Sequence, residues 1–140
     1  MKEPKTKEMT LSSTYEEIER VNEIARDLQE WADLNEDQFD TVLLTLSEAV
    51  TNAILHGNKI DPSKKVQVKA HLDDETLSIS VKDEGEGFDP NDLPDPLQEE
   101  NILNEGGRGV FIIEQFAEEV NFSENGTKIT MIFNLNNGSA

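Results

Sequence analysis

Three polar side chains, Glu48, Asn52 and His56, recur at four-residue spacing through LSEAVTNAILHGN, residues 46–58. On a helix that spacing sets Glu48 and Asn52 on one narrow stripe with Thr41 and Thr45, so the carboxylate and the amide can reach one point in space. A carboxylate there can take a proton from an attacking hydroxyl. The amide oxygen is a hard ligand suited to Mg²⁺, which prefers oxygen donors and keeps several of its waters. In isolation such a stripe is more often the solvated side of an amphipathic helix. Here Leu46, Ala49, Val50 and Ala53 flank it, which places it beside the core. His56, just before Gly57, suits the negative end of a helix dipole and is assigned no ligand role.

Two glycine clusters add to this. Asp83-x-Gly85-x-Gly87 follows an apolar alternation, where residues without side chains let a flat ligand approach the backbone while a carboxylate accepts a hydrogen bond from it. The spacing of acidic residues does not suit a calcium loop. Gly106-Gly107-Arg108-Gly109 directly precedes an apolar helical pattern and offers backbone N–H groups at the positive end of a dipole, a good place for phosphate. It has neither the lysine nor the spacing of a Walker loop. Taken singly, each cluster also reads as a turn or a hinge.

The elements that must position these residues follow from periodicity. Lys7 to Ser12 suits a short strand, and Ser13 or Thr14 can cap a helix ending near Leu34, whose apolar stripe runs from Ile18 through Leu28 to Ala32. Asn35 or Asp37 can cap a second helix that carries the Glu48–Asn52 stripe and stops at Gly57. Val66, Val68, Ala70 and Leu72, then Leu77, Ile79 and Val81, alternate as two half-buried strands joined by a tight turn. Residues 88–105, rich in proline and acid, read as a long loop of functional kind. A third helix, VFIIEQFAEEV, and a closing hairpin turned at Asn125-Gly126 complete the pattern. The fold class that results is α+β, a two-layer sandwich with helices packed on one face of a mixed, mostly antiparallel sheet.

The 140 residues suit a single domain over residues 1–135 with a disordered tail at 136–140. A formal charge of −18 argues against nonspecific attraction to nucleic acid. Absence of cysteine excludes disulfides, thiolate metal sites and a thiol nucleophile. No stretch approaches membrane-spanning length, so a cytoplasmic protein is the expectation.

In this order and spacing the segments resemble the GHKL ATPase superfamily: EAVTNAILHGN resembles its N-box, DEGEGF its first glycine box, GGRG its second, and Gly126-Thr127 its last. Within it, the chain is most similar to the bacterial anti-sigma factor serine kinases. That resemblance covers nearly all of residues 10–135 and implies a Bergerat-type ATP-binding fold. It implies Glu48 as the general base, Asn52 as the Mg²⁺ ligand, and Asp83 as acceptor for the exocyclic amine of adenine. Gly85 and Gly87 would shape the purine pocket with support from Thr127, while Gly107, Arg108 and Gly109 would embrace the phosphates under a lid of residues 88–105. This lid is short and carries no lysine, and Arg108 is the only base near the site in sequence.

The resemblance further implies an ATP-dependent protein serine kinase that phosphorylates an anti-sigma antagonist and sequesters a sigma factor, as a homodimer and without direct nucleic-acid or membrane partners. The alternatives are a non-catalytic, nucleotide-gated binding module and a detached histidine-kinase-type ATPase domain. A pure binder has no need of the base at Glu48. The first helix carries its charges outward, and scarce Arg20 is the expected partner contact.

Overall fold

The computed structural model describes residues 4–85 and 105–135, with side chains from 109 onward in the second stretch. Gly87, most of the expected lid and the tail at 136–140 lie outside the described residues.

Strand β1 (Lys5–Ser12) is followed by two helices, α1 (Tyr15–Glu19) and α2 (Val21–Ala32), where the sequence pattern reads as one. The break falls at Arg20, whose N–H bonds back to Glu17 and Ile18 in a tightened turn. Arg20 itself pairs with Glu17 at 2.7 Å across that junction. Neither Ser13 nor Thr14 caps α1 through its side chain. Ser13 is instead fully buried and donates to the Lys64 carbonyl. Asp33 adopts a left-handed conformation that stops α2, and Asn35 then caps α3 (Glu36–Thr51) in a reciprocal box with Gln38.

Helix α3 does not run as α-helix to Gly57. From Asn52 to Gly57 it widens into a π-helical turn, in which the backbone bonds reach one residue further. Lys59 and Ile60 follow with φ of 54° and 55°, a left-handed pair that costs strain for a β-branched residue.

Strands β2 (Lys65–Asp73) and β3 (Thr76–Lys82) form the expected hairpin, closed by the two-residue loop Asp74-Glu75. Helix α4 (Glu105–Phe116) begins before the glycines, so Gly106 to Gly109 form its first turn instead of a loop ahead of it. It also ends earlier than the apolar pattern suggests. Glu119 to Ser123 is already strand β4, and β5 (Lys128–Asn134) returns from it.

The sheet order is β1-β2-β3-β5-β4, and every pairing among the described residues is antiparallel. Inward residues of the sheet, Val68, Ile79 and Met131 among them, meet Leu28, Leu46 and Ile113 from α2, α3 and α4 in one continuous core. The two-layer α+β sandwich is therefore as the periodicity implies. Ile79 sits on the central strand and is fully buried. Ile79→Ala should lower unfolding stability by about 2–5 kcal/mol, the usual loss plus residual cavity, read as a shift in the denaturant midpoint.

Candidate functional site

One end of the site is built where α4 meets α3. A Cβ placed on Gly109 would lie 2.8 Å from Asn52 Nδ2 and 2.9 Å from Glu48 Oε2. The two side chains therefore converge on one spot, less than 6 Å apart, and the first turn of α4 closes onto them. Gly109 is buried and has no room for any side chain. Both Glu48 and Asn52 are half-buried. Thr45, on the same stripe, is buried and donates to the Thr41 carbonyl of its own helix, so its hydroxyl is spent within α3. His56 is exposed.

The other end lies where the π-helical turn finishes. Gly57 packs against the Asp83 carboxylate so closely that a Cβ would collide with both its oxygens, and a Cβ on Gly85 would collide with the Gly57 carbonyl. Neither glycine has a positive φ. Gly57 is thus required by a close approach and not as a helix stop. Asp83 Oδ1 accepts a 2.8 Å bond from the Gly85 N–H, and the Asp83 N–H donates to the Thr127 carbonyl at 2.9 Å. That last bond continues the β3–β5 ladder by one step and brings Thr127 beside Asp83 through its backbone. The Thr127 hydroxyl turns instead to the Glu124 carbonyl, in a hairpin loop of four residues. Gly107 and Arg108 belong to the first turn of α4; the contacts of the Arg108 side chain, like everything at Gly87, lie outside the described residues.

Residues 11–133 match the family described as the Histidine kinase-like ATPase domain. The chain belongs to that family. Among curated relatives, an "Anti-sigma F factor" of Oceanobacillus iheyensis is 35% identical over 68% of each chain. Another from Anoxybacillus flavithermus is 32% identical over 74% of this chain and 75% of the relative. The "Serine-protein kinase RsbW" of Bacillus licheniformis is 31% identical over 71% and 67%. The solved RsbU and RsbW domains of Rv1364c from Mycobacterium tuberculosis share the fold with a TM-score of 0.63 at 18% identity, over 92% of this chain and 31% of that longer one.

This histidine-kinase-like ATPase domain also contains site-forming residues that the sequence pattern does not announce. Asn58 is buried among polar partners: its Nδ2 donates to Ser13 Oγ at 2.7 Å and to the Lys65 carbonyl at 3.1 Å, and its Oδ1 accepts from the Glu84 N–H at 2.8 Å. The cue available in sequence is an amide directly after the glycine of the N-box segment. Lys64, 19 positions upstream of Asp83, adds a favourable charge there.

Burial raises the Asp83 carboxyl above its usual value, against the opposing pull of the Gly85 N–H and of Lys64. The native state then holds this proton more tightly than the unfolded chain does. Stability should fall as pH rises from about 4 up to the raised native value, and the Asp83 contribution should be level above it. Asp83→Asn should remove that component of the slope, which melting temperatures of the two proteins across this window will read.

Proposed function

We propose that this domain is an ATP-dependent protein serine kinase that acts as an anti-sigma factor. The observation that carries the reading is the convergence of Glu48, Asn52 and the glycine-rich first turn of α4 on one spot. A proton acceptor, a hard oxygen donor and helix N-terminal N–H groups are what in-line phosphoryl transfer asks of a protein. The relatives named as serine-protein kinase and anti-sigma factor support the same conclusion.

In this reading Glu48 accepts the proton of a serine hydroxyl as its oxygen bonds to the terminal phosphorus of ATP, whose bond to the bridging oxygen breaks so that ADP leaves. Asn52 presents its side-chain oxygen to Mg²⁺. Bound there, Mg²⁺ would keep several of its waters, as a hard cation that prefers oxygen donors does. Bound Mg²⁺·ATP supplies the electrophilic terminal phosphate with its charge spread by the cation. Gly107, Arg108 and Gly109 hold the phosphates, with Arg108 adding a side-chain cation. Asp83 takes the exocyclic amine of adenine, with Gly85, Gly87 and Thr127 completing the purine pocket. The phosphorylated partner is an anti-sigma antagonist, the sequestered one a sigma factor, and the kinase works as a homodimer in the cytoplasm. No helix among the described residues is long and apolar enough to cross a membrane.

The test combines the purified protein, Mg²⁺, γ-labelled ATP and candidate small antagonist proteins. Label should move to a serine of one antagonist. Tight ATP binding without transfer to any antagonist would replace the kinase with a nucleotide-gated binder. Because the chain carries a charge of −18, ATP affinity should also depend strictly on Mg²⁺; calorimetric binding unchanged by EDTA would remove the metal from the account.

A further inference from the structure

The register of the β2–β3 hairpin sets Gln67 opposite Lys82, and two more residues along it would pair Lys65 with Glu84. That rung is missing as a backbone rung. The Glu84 N–H goes to Asn58 Oδ1, and the Lys65 carbonyl accepts from Asn58 Nδ2. The Lys65 N–H donates to the Glu84 side chain. One buried amide therefore stands between two strands, holding a backbone donor of one and a backbone acceptor of the other. On the opposite edge the same segment is fixed normally, through the Asp83 N–H and Thr127.

We propose that Asn58 is a positioning residue for nucleotide: it splays the end of β3 away from β2 and thereby aims Asp83 and Gly85 at the base. The chain emerging from β3 has two directions available. Continued pairing with Lys65 would draw residues 84–85 along the sheet. Pairing with Asn58 ties them to the end of the π-helical turn, where Gly57 makes its close contacts with Asp83 and Gly85. The strained Lys59-Ile60 pair turns the backbone immediately after Asn58 and is fixed by the Ile60 N–H bond to the Ile54 carbonyl. Ser13 Oγ, itself bonded to the Lys64 carbonyl, takes the second amide hydrogen of Asn58, while the Glu84 N–H and the Lys65 carbonyl by themselves fix which way the amide faces. Orientation matters, because a reversed amide would set a donor against the Glu84 N–H. Asn58 touches neither end of the nucleotide in this account; it acts through Glu84 on the residues that do.

The inference rests on the adenine-nucleotide reading above, and calorimetry with ADP and GDP separates the two. The unsubstituted protein should bind ADP and prefer it to GDP; no binding of either would overturn the nucleotide reading, and this proposal with it. Given that preference, Asn58→Ala should weaken ADP binding about tenfold and narrow the preference, raising KM for ATP with little change in kcat. Ser13→Ala keeps the acceptor for Glu84 and should lower the melting temperature while leaving the preference intact. An Asn58→Ala protein that melts earlier yet discriminates as before overturns the proposal, as does equal loss of preference in Ser13→Ala. Should Asn58→Ala fail to fold, amide exchange in the unsubstituted protein without nucleotide decides. The Glu84 N–H should exchange slowly, and exchange at the rate of an open loop overturns it.

Discussion

Glu48→Gln is expected to leave ATP bound and to lower serine phosphorylation by roughly 10²–10⁴-fold, the range that general-base catalysis supplies. Glutamine keeps the size of the side chain and its place beside Asn52 and Gly109, where a Cβ on the glycine would be 2.9 Å from Glu48 Oε2. What it loses is the ability to accept a proton. Binding should survive because the groups proposed to hold the phosphates, Asn52 and the α4 first turn, are untouched. The split between binding and transfer is the informative part, measured as ATP affinity by calorimetry and label transfer in a single turnover. If Glu48→Gln transfers label at an undiminished rate, the proton goes elsewhere and the base must be sought on the partner protein. If it fails to bind ATP, Glu48 is a ligand-holding group and not a base.

Gly85→Ala should produce an equally large loss by a different route. The added methyl has no free space: it falls on the Gly57 carbonyl, a backbone atom that cannot rotate aside. Either residues 83–85 or the end of the π-helical turn must move. Both carry the Asp83 environment, so the carboxylate shifts from where adenine would meet it. Overpacking of this kind costs about 1–3 kcal/mol in stability. ADP affinity should fall on the order of 100-fold, equivalent to about 2.7 kcal/mol. Melting with and without saturating ADP checks both: the variant should melt lower, and the stabilisation by ligand should shrink. A variant that melts lower but gains the full ligand stabilisation would detach this glycine from nucleotide binding.

The parts of the fold legible in sequence were those written as repetition. Alternation in residues 66–72 and 77–81 fixes two strands with one inward face, and the three-to-four spacing from Val21 to Ala32 fixes α2. Clustering of Glu48 and Asn52 was legible for the same reason, since it needs only helical spacing. What periodicity does not encode is where a regular element changes kind. Nothing in apolar spacing marks Arg20 as a break, because Ile18 and Val21 still share a stripe across it. Nor does NAILHG differ from an ordinary last helical turn, although its backbone is π-helical. Gly57 reads as a helix stop until Asp83, 26 positions later, is seen packed against it. Asn58 looks like punctuation after a glycine, and its meaning depends on Ser13, Lys65 and Glu84, none of them local. Residues 86–104, with Gly87 and most of the expected lid, lie outside the described residues.

The π-helical turn has a metrical consequence. Glu48 and Asn52 mark one end of the candidate site, and Gly57 with Asn58 marks the other, on a single uninterrupted length of helical backbone. The span between them is a ruler graduated in residues, and the wider turn adds one graduation beyond what α-helix would allot to the same stretch of axis. Whatever lies along the ruler is gauged by length: its two extremities must fall on both marks at once. Shortening the turn by a single residue would leave each end intact and place them out of step, so a ligand that met one mark would miss the other.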